Sequence, residues 1–285
     1  MARRVRFTPR IAAGVFAVAV VAAHPTAVQA TEVPFAVQPP VTTAAAGATR
    51  AIAADVDGDG DTDLLSASVL NDTLAWYQNN GAGSVWTTRV ISTALDGSYG
   101  LHAADLDGDG DVDALAASHD GAAVIWYENV VGDGTAWTTR TIATGLASPV
   151  PIFAADVDGD GDQDVLTTAF GSSTVLWYDN TAGNGSAWVP RTIATGANGP
   201  VALVAADVDR DGDVDVVTAS SAGNRVAWHE NTAGDGSAWT TRTITTDVSQ
   251  PFRVSAADVD GDGDVDVLSA SYGDDKVAWQ ENTAG

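Results

Sequence analysis

Apolar and polar positions alternate along this chain in short runs, and the runs recur. Residues 150 to 195 illustrate the unit. The pattern there predicts four strands, Val150 to Val157, Asp164 to Phe170, Thr174 to Tyr178 and Trp188 to Thr195, dominated by Val, Ile, Thr, Trp and Tyr. Asp/Gly-rich stretches, Gly171-Ser172-Ser173 and Asn180 to Ser186, break these runs as turns do. No segment sustains a helical period. Asp-rich loops beginning at Asp55, Asp105, Asp156, Asp207 and Asp258 mark the same unit at intervals of 50 or 51 residues.

Four strands per repeat of this length predict an all-β protein, a β-propeller whose four-stranded blades bury their faces only by stacking on one another. The paired alanines Ala53-Ala54, Ala103-Ala104, Ala154-Ala155, Ala205-Ala206 and Ala256-Ala257 lie on the first strand of each unit, where crowding at a propeller axis favours small side chains. Trp76, Trp126, Trp177, Trp228 and Trp279 recur on the third strand, and Trp86, Trp137, Trp188 and Trp239 open the fourth. A Trp at the same place in every unit is read as filler between blades rather than as a sugar-stacking platform. The fifth unit ends before its fourth strand, so five blades are expected, with residues 33 to 43 closing the ring as the outer strand of the last blade. The rival is a piece of a larger propeller. Pro39-Pro40 limits that closing segment to an edge.

The first thirty residues fall outside the repeat. Arg3, Arg4, Arg6 and Arg10 precede an apolar run from Ile11 to Ala23, and Val28-Gln29-Ala30 offers a small-residue cleavage site. This predicts a secretory signal peptide over residues 1–30 and a propeller over residues 31–285, secreted to the extracellular space, with the periplasm or cell surface also open and no membrane insertion after cleavage. The export route stays undecided. The chain has no cysteine, which removes disulfides, Cys-ligated zinc and thiol nucleophiles from consideration.

Charge changes the picture further. The formal net charge is −25, and the five loops, with five carboxylates each, hold twenty-five of the 38 acidic residues. Such clustering calls for cations and argues against a nucleic-acid backbone as partner. The carboxylates stand at loop positions 1, 3, 5, 7 and 9: Asp55, Asp57, Asp59, Asp61 and Asp63 in the first loop; Asp105, Asp107, Asp109, Asp111 and Asp113 in the second; Asp156, Asp158, Asp160, Asp162 and Asp164 in the third; Asp207, Asp209, Asp211, Asp213 and Asp215 in the fourth; Asp258, Asp260, Asp262, Asp264 and Asp266 in the fifth. An all-oxygen set with loose geometry suits Ca2+, up to five sites, better than magnesium or a transition metal. Gly60, Gly110, Gly161, Gly212 and Gly263 hold position 6, where the chain must turn sharply; position 4 tolerates Arg210. An EF-hand is excluded, because position 12 is Ser66, Ala116, Thr167, Thr218 or Ser269 instead of Glu, and the flanks are strands.

These loops, followed by strands such as Val267-Leu268-Ser269-Ala270-Ser271 and by third strands of the pattern V-A-W-Y-E-N, resemble the FG-GAP/VCBS repeat family, which includes the integrin α-chain propeller. The chain does not repeat the Phe-Gly and Gly-Ala-Pro strings that name the family and looks closer to its bacterial VCBS branch. The resemblance implies calcium held by the side chains at positions 1, 3, 5 and 9 and by the backbone carbonyl at position 7; because metal binding stabilises only the folded state, the ion is expected to be structural rather than catalytic.

Antiparallel strands place the acidic loops and the third-to-fourth turns at one end of the blades. The second-to-third turns and inter-blade loops, at the other end, vary from repeat to repeat. Val69, His119, Phe170, Ser221 and Tyr272 share one equivalent position there, near Arg225, Lys276, Tyr99, Phe252 and Arg253. That face is the expected place for a protein or glycan ligand. An adhesion or ligand-binding module, monomeric and not an enzyme, is the leading reading. A lectin, or a carbohydrate-active enzyme of the polysaccharide-lyase kind, remains open on the same fold, although His102 and His119 are isolated and no acid/base set or nucleophile motif converges.

Overall fold

The computed structural model describes residues 36–284; the expected signal peptide and residues 33 to 35 of the expected closing strand lie outside them. The described chain is all β. Its first sheet contains β1 (Ala48–Ala54), β2 (Asp63–Ser68), β3 (Thr73–Asn79) and β4 (Trp86–Ser92), each antiparallel to the strand before it. The second contains β5 (Ser98–Ala104), β6 (Asp113–Ser118), β7 (Ala123–Asn129) and β8 (Trp137–Thr144). The third is β9 (Pro149–Ala155), β10 (Asp164–Ala169), β11 (Thr174–Asp179) and β12 (Val189–Thr195), and the fourth is β13 (Pro200–Ala206), β14 (Asp215–Ser220), β15 (Arg225–Asn231) and β16 (Trp239–Thr245). The fifth has three strands, β17 (Pro251–Ala257), β18 (Asp266–Ser271) and β19 (Lys276–Gln280). These are the blades of a propeller.

The period-2 alternation decides how blades stack. Ile52, Leu65 and Trp76 stand opposite one another across β1, β2 and β3, so they share one face. That face packs on Leu101, Ala114, Ala116 and Tyr127 of the second blade. The arrangement repeats three times: Leu115, Val124 and Trp126 against Ile152, Val165 and Tyr178; Leu166, Val175 and Trp177 against Leu203 and Val216; Val217, Val226 and Trp228 against Val254 and Val267. The core therefore consists of four inter-blade layers, and the third-strand tryptophans fill them as the sequence predicts.

Each buried indole is capped by the next blade. A Cβ added to Gly134, Gly185 or Gly236 would come within 2.3, 2.3 or 2.4 Å of Trp76, Trp126 or Trp177. These glycines also hold φ of +66°, +64° and +67°, so both space and backbone geometry require them. The fourth-strand tryptophans brace the same turns: Trp137, Trp188 and Trp239 donate their indole N–H to the carbonyls of Gly134, Gly185 and Gly236 at 2.8, 3.0 and 2.9 Å.

The fifth blade departs from expectation. Residues 36–43, expected to supply its outer strand, carry no strand at all, and the sheet stops at β19. Pro39 and Pro40 offer no backbone N–H to a ladder. Val277 and Trp279 of this blade, on the face that the next blade covers in the other four, are 75% and 45% exposed, whereas Trp76, Trp126 and Trp177 are fully buried.

Candidate functional site

Each acidic loop connects the first and second strands of its blade, and its own backbone fixes its shape. The position-1 carboxylate accepts the N–H of the position-6 glycine: Gly60 to Asp55 at 2.9 Å, Gly110 to Asp105 at 2.9 Å, Gly161 to Asp156 at 3.0 Å, Gly212 to Asp207 at 3.1 Å and Gly263 to Asp258 at 3.0 Å. Those glycines have φ between +90° and +97°, which closes the turn without a Cβ. The position-5 carboxylates Asp59, Asp109, Asp160, Asp211 and Asp262 each accept the N–H two residues on, at 2.8 to 3.0 Å.

Position 9 is the anchor. Asp63, Asp113, Asp164, Asp215 and Asp266 are buried at the start of the second strand. One oxygen of each accepts the N–H of position 2 (Val56, Leu106, Val157, Val208, Val259) at 3.0 to 3.2 Å. The other accepts the N–H of the asparagine that ends or follows the third strand (Asn79, Asn129, Asn180, Asn231, Asn282) at 2.7 to 2.8 Å. Trp76 adds its indole N–H to Asp63 at 3.0 Å. Burial nevertheless raises Asp113 and Asp164 to about 7 and Asp215 to about 6. Desolvation by the surrounding blade is the largest cause, and it exceeds the help from the backbone donors.

In the first four loops positions 1, 3 and 9 converge: Asp55, Asp57 and Asp63, and likewise Asp105, Asp107 and Asp113, Asp156, Asp158 and Asp164, and Asp207, Asp209 and Asp215, each offer an oxygen within 4.8 Å of the other two. In the fifth the converging trio is Asp258, Asp260 and Asp262, all exposed. Burial raises the position-3 carboxyls Asp57, Asp107, Asp158 and Asp209, opposed at each by a backbone N–H of the loop and at Asp57 also by the Gln78 side chain. Oδ1 of Asp55, Asp57, Asp107, Asp207 and Asp209 is buried without a hydrogen-bond partner. Buried, unpartnered and mutually repelling carboxylate oxygens aimed at one point are the donor set of a hard cation.

Four of the position-7 side chains, those of Asp111, Asp162, Asp213 and Asp264, turn away from this point. A Cβ on Gly132, Gly183 or Gly234 would sit 2.2 to 2.4 Å from the carboxylate of Asp111, Asp162 or Asp213, so these side chains cover the third-to-fourth turn. Asp264 instead pairs with Arg210. Asp61, Asp111, Asp162, Asp213 and Asp264 thus belong to the loops, but their carboxylates are not in the converging trios.

Sequence reasoning missed one layer. Gln78 donates to Asp57 at 2.5 Å, and Glu128, Asp179 and Glu230, at the same place on the third strand, raise the carboxyls of Asp107, Asp158 and Asp209 by their charge. Arg140, Arg191 and Arg242 of the fourth strand neutralise these acids, and with Arg89 they also lie over Trp126, Trp177, Trp228 and Trp76 at 5.1 to 5.5 Å. The signal was legible as an acid or amide two residues after the first Trp and an Arg three residues after the second.

At the opposite end, each second-to-third turn is tied to the inter-blade loop before it: Val69 to Gly47, His119 to Gly97, Phe170 to Ser148, Ser221 to Gly199 and Tyr272 to Gln250, all by backbone hydrogen bonds of 2.9 to 3.1 Å. On this frame Tyr99 meets His119 edge-on at 5.3 Å, His119 pairs with Asp120, Arg253 lies over Phe252 at 4.7 Å and Lys276 pairs with Asp247 and Asp274. Tyr99, Phe170, Phe252 and Tyr272 are exposed.

With this geometry in view, comparison with known proteins is specific about the repeat. Residues 55–116, 105–167, 156–218 and 207–269 each match the FG-GAP-like repeat. No curated protein matches the sequence. Among solved structures the chain is similar to an auxiliary nutrient binding protein from Bacteroides ovatus (12% identity, 77% of this chain and 57% of that one, TM-score 0.52). It is also similar to BBS1N in the complex with ARL6DN (14%, 82% and 69%, TM-score 0.51) and to a chain of the nidogen/laminin complex (15%, 81% and 79%, TM-score 0.50). At such identities these likenesses speak to the fold.

Proposed function

Because the chain belongs to the FG-GAP-like repeat family, its matched repeats running from residue 55 to residue 269, we propose that it is a calcium-stabilised β-propeller that serves as an adhesion or ligand-binding module. The observation that carries the calcium part is the set of buried, unpartnered Oδ1 atoms of Asp55, Asp57, Asp107, Asp207 and Asp209, each beside a buried position-9 carboxylate. A divalent ion supplies the missing partner, and because only the folded loops bring the oxygens together, its binding free energy adds to folding. The leader-like residues 1–30 support export, and extracellular calcium at millimolar levels would keep such sites occupied.

The binding part rests on the division of the molecule. The loops repeat and are wired into the blades; the other end presents His119, Phe170 and Tyr272 on hydrogen-bonded turns and Tyr99 and Phe252 at the starts of β5 and β17, a rigid frame carrying unlike side chains. The histidines support a non-catalytic reading. His102 stacks on Phe153 and is driven down to about 4 by burial, and His229 is buried between the hydroxyls of Thr218 and Thr241. The test is an array of glycans and matrix proteins probed with the calcium-loaded and chelated protein, with a polysaccharide-degradation screen alongside. Binding abolished by Tyr272→Ala and Phe170→Ala supports the module; product release from a polysaccharide would replace it with an enzyme.

A further inference from the structure

Position 4 of the acidic loop is glycine in four repeats and Arg210 in the fourth, and that single exception changes how two neighbouring loops meet. In the second and third loops position 4 faces the following blade: a Cβ on Gly108 would lie 3.6 Å from the carbonyl of Gly183, and one on Gly159 would lie 3.9 Å from that of Gly234. A cleft stays open at both boundaries, its walls including Asp105, Gly108 and Asp162 at one and Asp156, Gly159 and Asp213 at the other. Arg210 is the counterpart of Gly108 and Gly159, and Asp264 is the counterpart of Asp162 and Asp213. Their ion pair spans the corresponding space between the fourth and fifth blades.

Arg210 is held there at a conformational cost. Its φ is +61°, a left-handed geometry that glycine adopts freely and an arginine does not. Its guanidinium also reaches the fifth loop's turn, since a Cβ on Gly263 would be 2.7 Å from Nη2. The fifth loop is the one whose carboxylates are gathered differently. Positions 1, 3 and 5 converge there, in place of positions 1, 3 and 9, and all three are exposed.

We infer that Arg210 is a built-in cation of the fifth loop, tying it to the fourth blade without metal and weakening its calcium site relative to the other four. This rests on the calcium reading of the loops. A fixed positive charge reaching across into the fifth loop repels a divalent ion there, and at separations of several ångströms in a solvent-exposed setting the repulsion lowers affinity by roughly tenfold. The same charge replaces part of what calcium does elsewhere, because it neutralises Asp264 across the blade boundary whether or not metal is present.

The experiment is calorimetric titration of the metal-free protein with calcium chloride at pH 7.5, on the wild type, Arg210→Gly and Arg210→Gln, with thermal unfolding of each variant in chelator. Arg210→Gly restores the residue the other four loops carry and is compatible with the backbone; Arg210→Gln keeps the length and removes the charge. The expected result is four sites of one class and a fifth roughly tenfold weaker in the wild type, with the weak class moving toward the others in both variants. In chelator both variants should lose the tie, and Arg210→Gln, which keeps the backbone cost, should melt below the wild type. Five equivalent sites in the wild type, or a titration unchanged by either substitution, overturns the role of Arg210 while leaving the calcium reading intact. No calcium binding at all overturns both.

Discussion

Asn180 donates its side-chain N–H to the carbonyl of Leu106 at 2.9 Å, across the boundary between the third and second blades, while its backbone N–H holds Asp164 at 2.8 Å. One residue thus links the buried carboxylate of its own loop to the loop of the preceding blade. Asn129 to Val56, Asn231 to Val157 and Asn282 to Val208 repeat the link at 2.9 to 3.0 Å. The acidic loops are therefore connected to one another through the blade boundaries, and what orders one loop steadies the next.

Asn180→Ala should cost about 1–3 kcal/mol, the range for leaving a buried hydrogen-bond partner unmatched, because the Leu106 carbonyl loses its donor and Gly185 loses the Asn180 Oδ1 acceptor. Urea unfolding checks this, and a calcium titration of the same variant should show weakened binding at the second and third loops together.

The tryptophans should divide by place and not by type. Trp177→Ala opens a cavity in a packed inter-blade layer and should cost about 3–5 kcal/mol. Trp279→Ala, on the open face of the fifth blade, should cost less than about 1 kcal/mol in the same measurement.

The pH dependence of the metal-free protein has a definite sign. Burial raises Asp113 and Asp164 to about 7 and Asp215 to about 6, so the folded state keeps protons that the unfolded state releases near pH 4. Stability in chelator should fall as pH rises from about 4 through 7. His229, lowered to about 4, works against this trend: unfolded, it takes up a proton below about 6.5 that the folded protein refuses. Changing His229 to Tyr, the residue at that place in the first three blades, should therefore steepen the loss. Thermal scans in chelator between pH 4.5 and 7.5 measure both.

Much of this was legible in the sequence because the repeat compares the chain with itself. Val, Leu and Trp returning at a fixed offset from each acidic loop gave the strands and the packing face, and Asp at every second position gave the loop. Spacing alone did not separate the carboxylates by role. Asp63 and its equivalents are fixed by burial and by an asparagine sixteen residues on, and Asp111, Asp162 and Asp213 turn over the third-to-fourth turn of their blade; both facts arise from contacts distant in sequence. The closing strand was misjudged for a related reason: an apolar segment of suitable length was available, but Pro39 and Pro40 leave it too few donors for a ladder. Arg210 was visible as an exception, yet only the fold shows that its side chain crosses to Asp264.

Thermal unfolding of the metal-free protein, followed as calcium is returned from micromolar to millimolar concentration, addresses the loops most directly. If calcium completes these sites in the folded state alone, the midpoint should climb with concentration, each site adding about 2.7 kcal/mol at a hundred times its dissociation constant, and Asp164→Asn should remove part of the rise. A midpoint that stays constant between chelator and millimolar calcium would contradict the assignment of these loops as structural calcium sites.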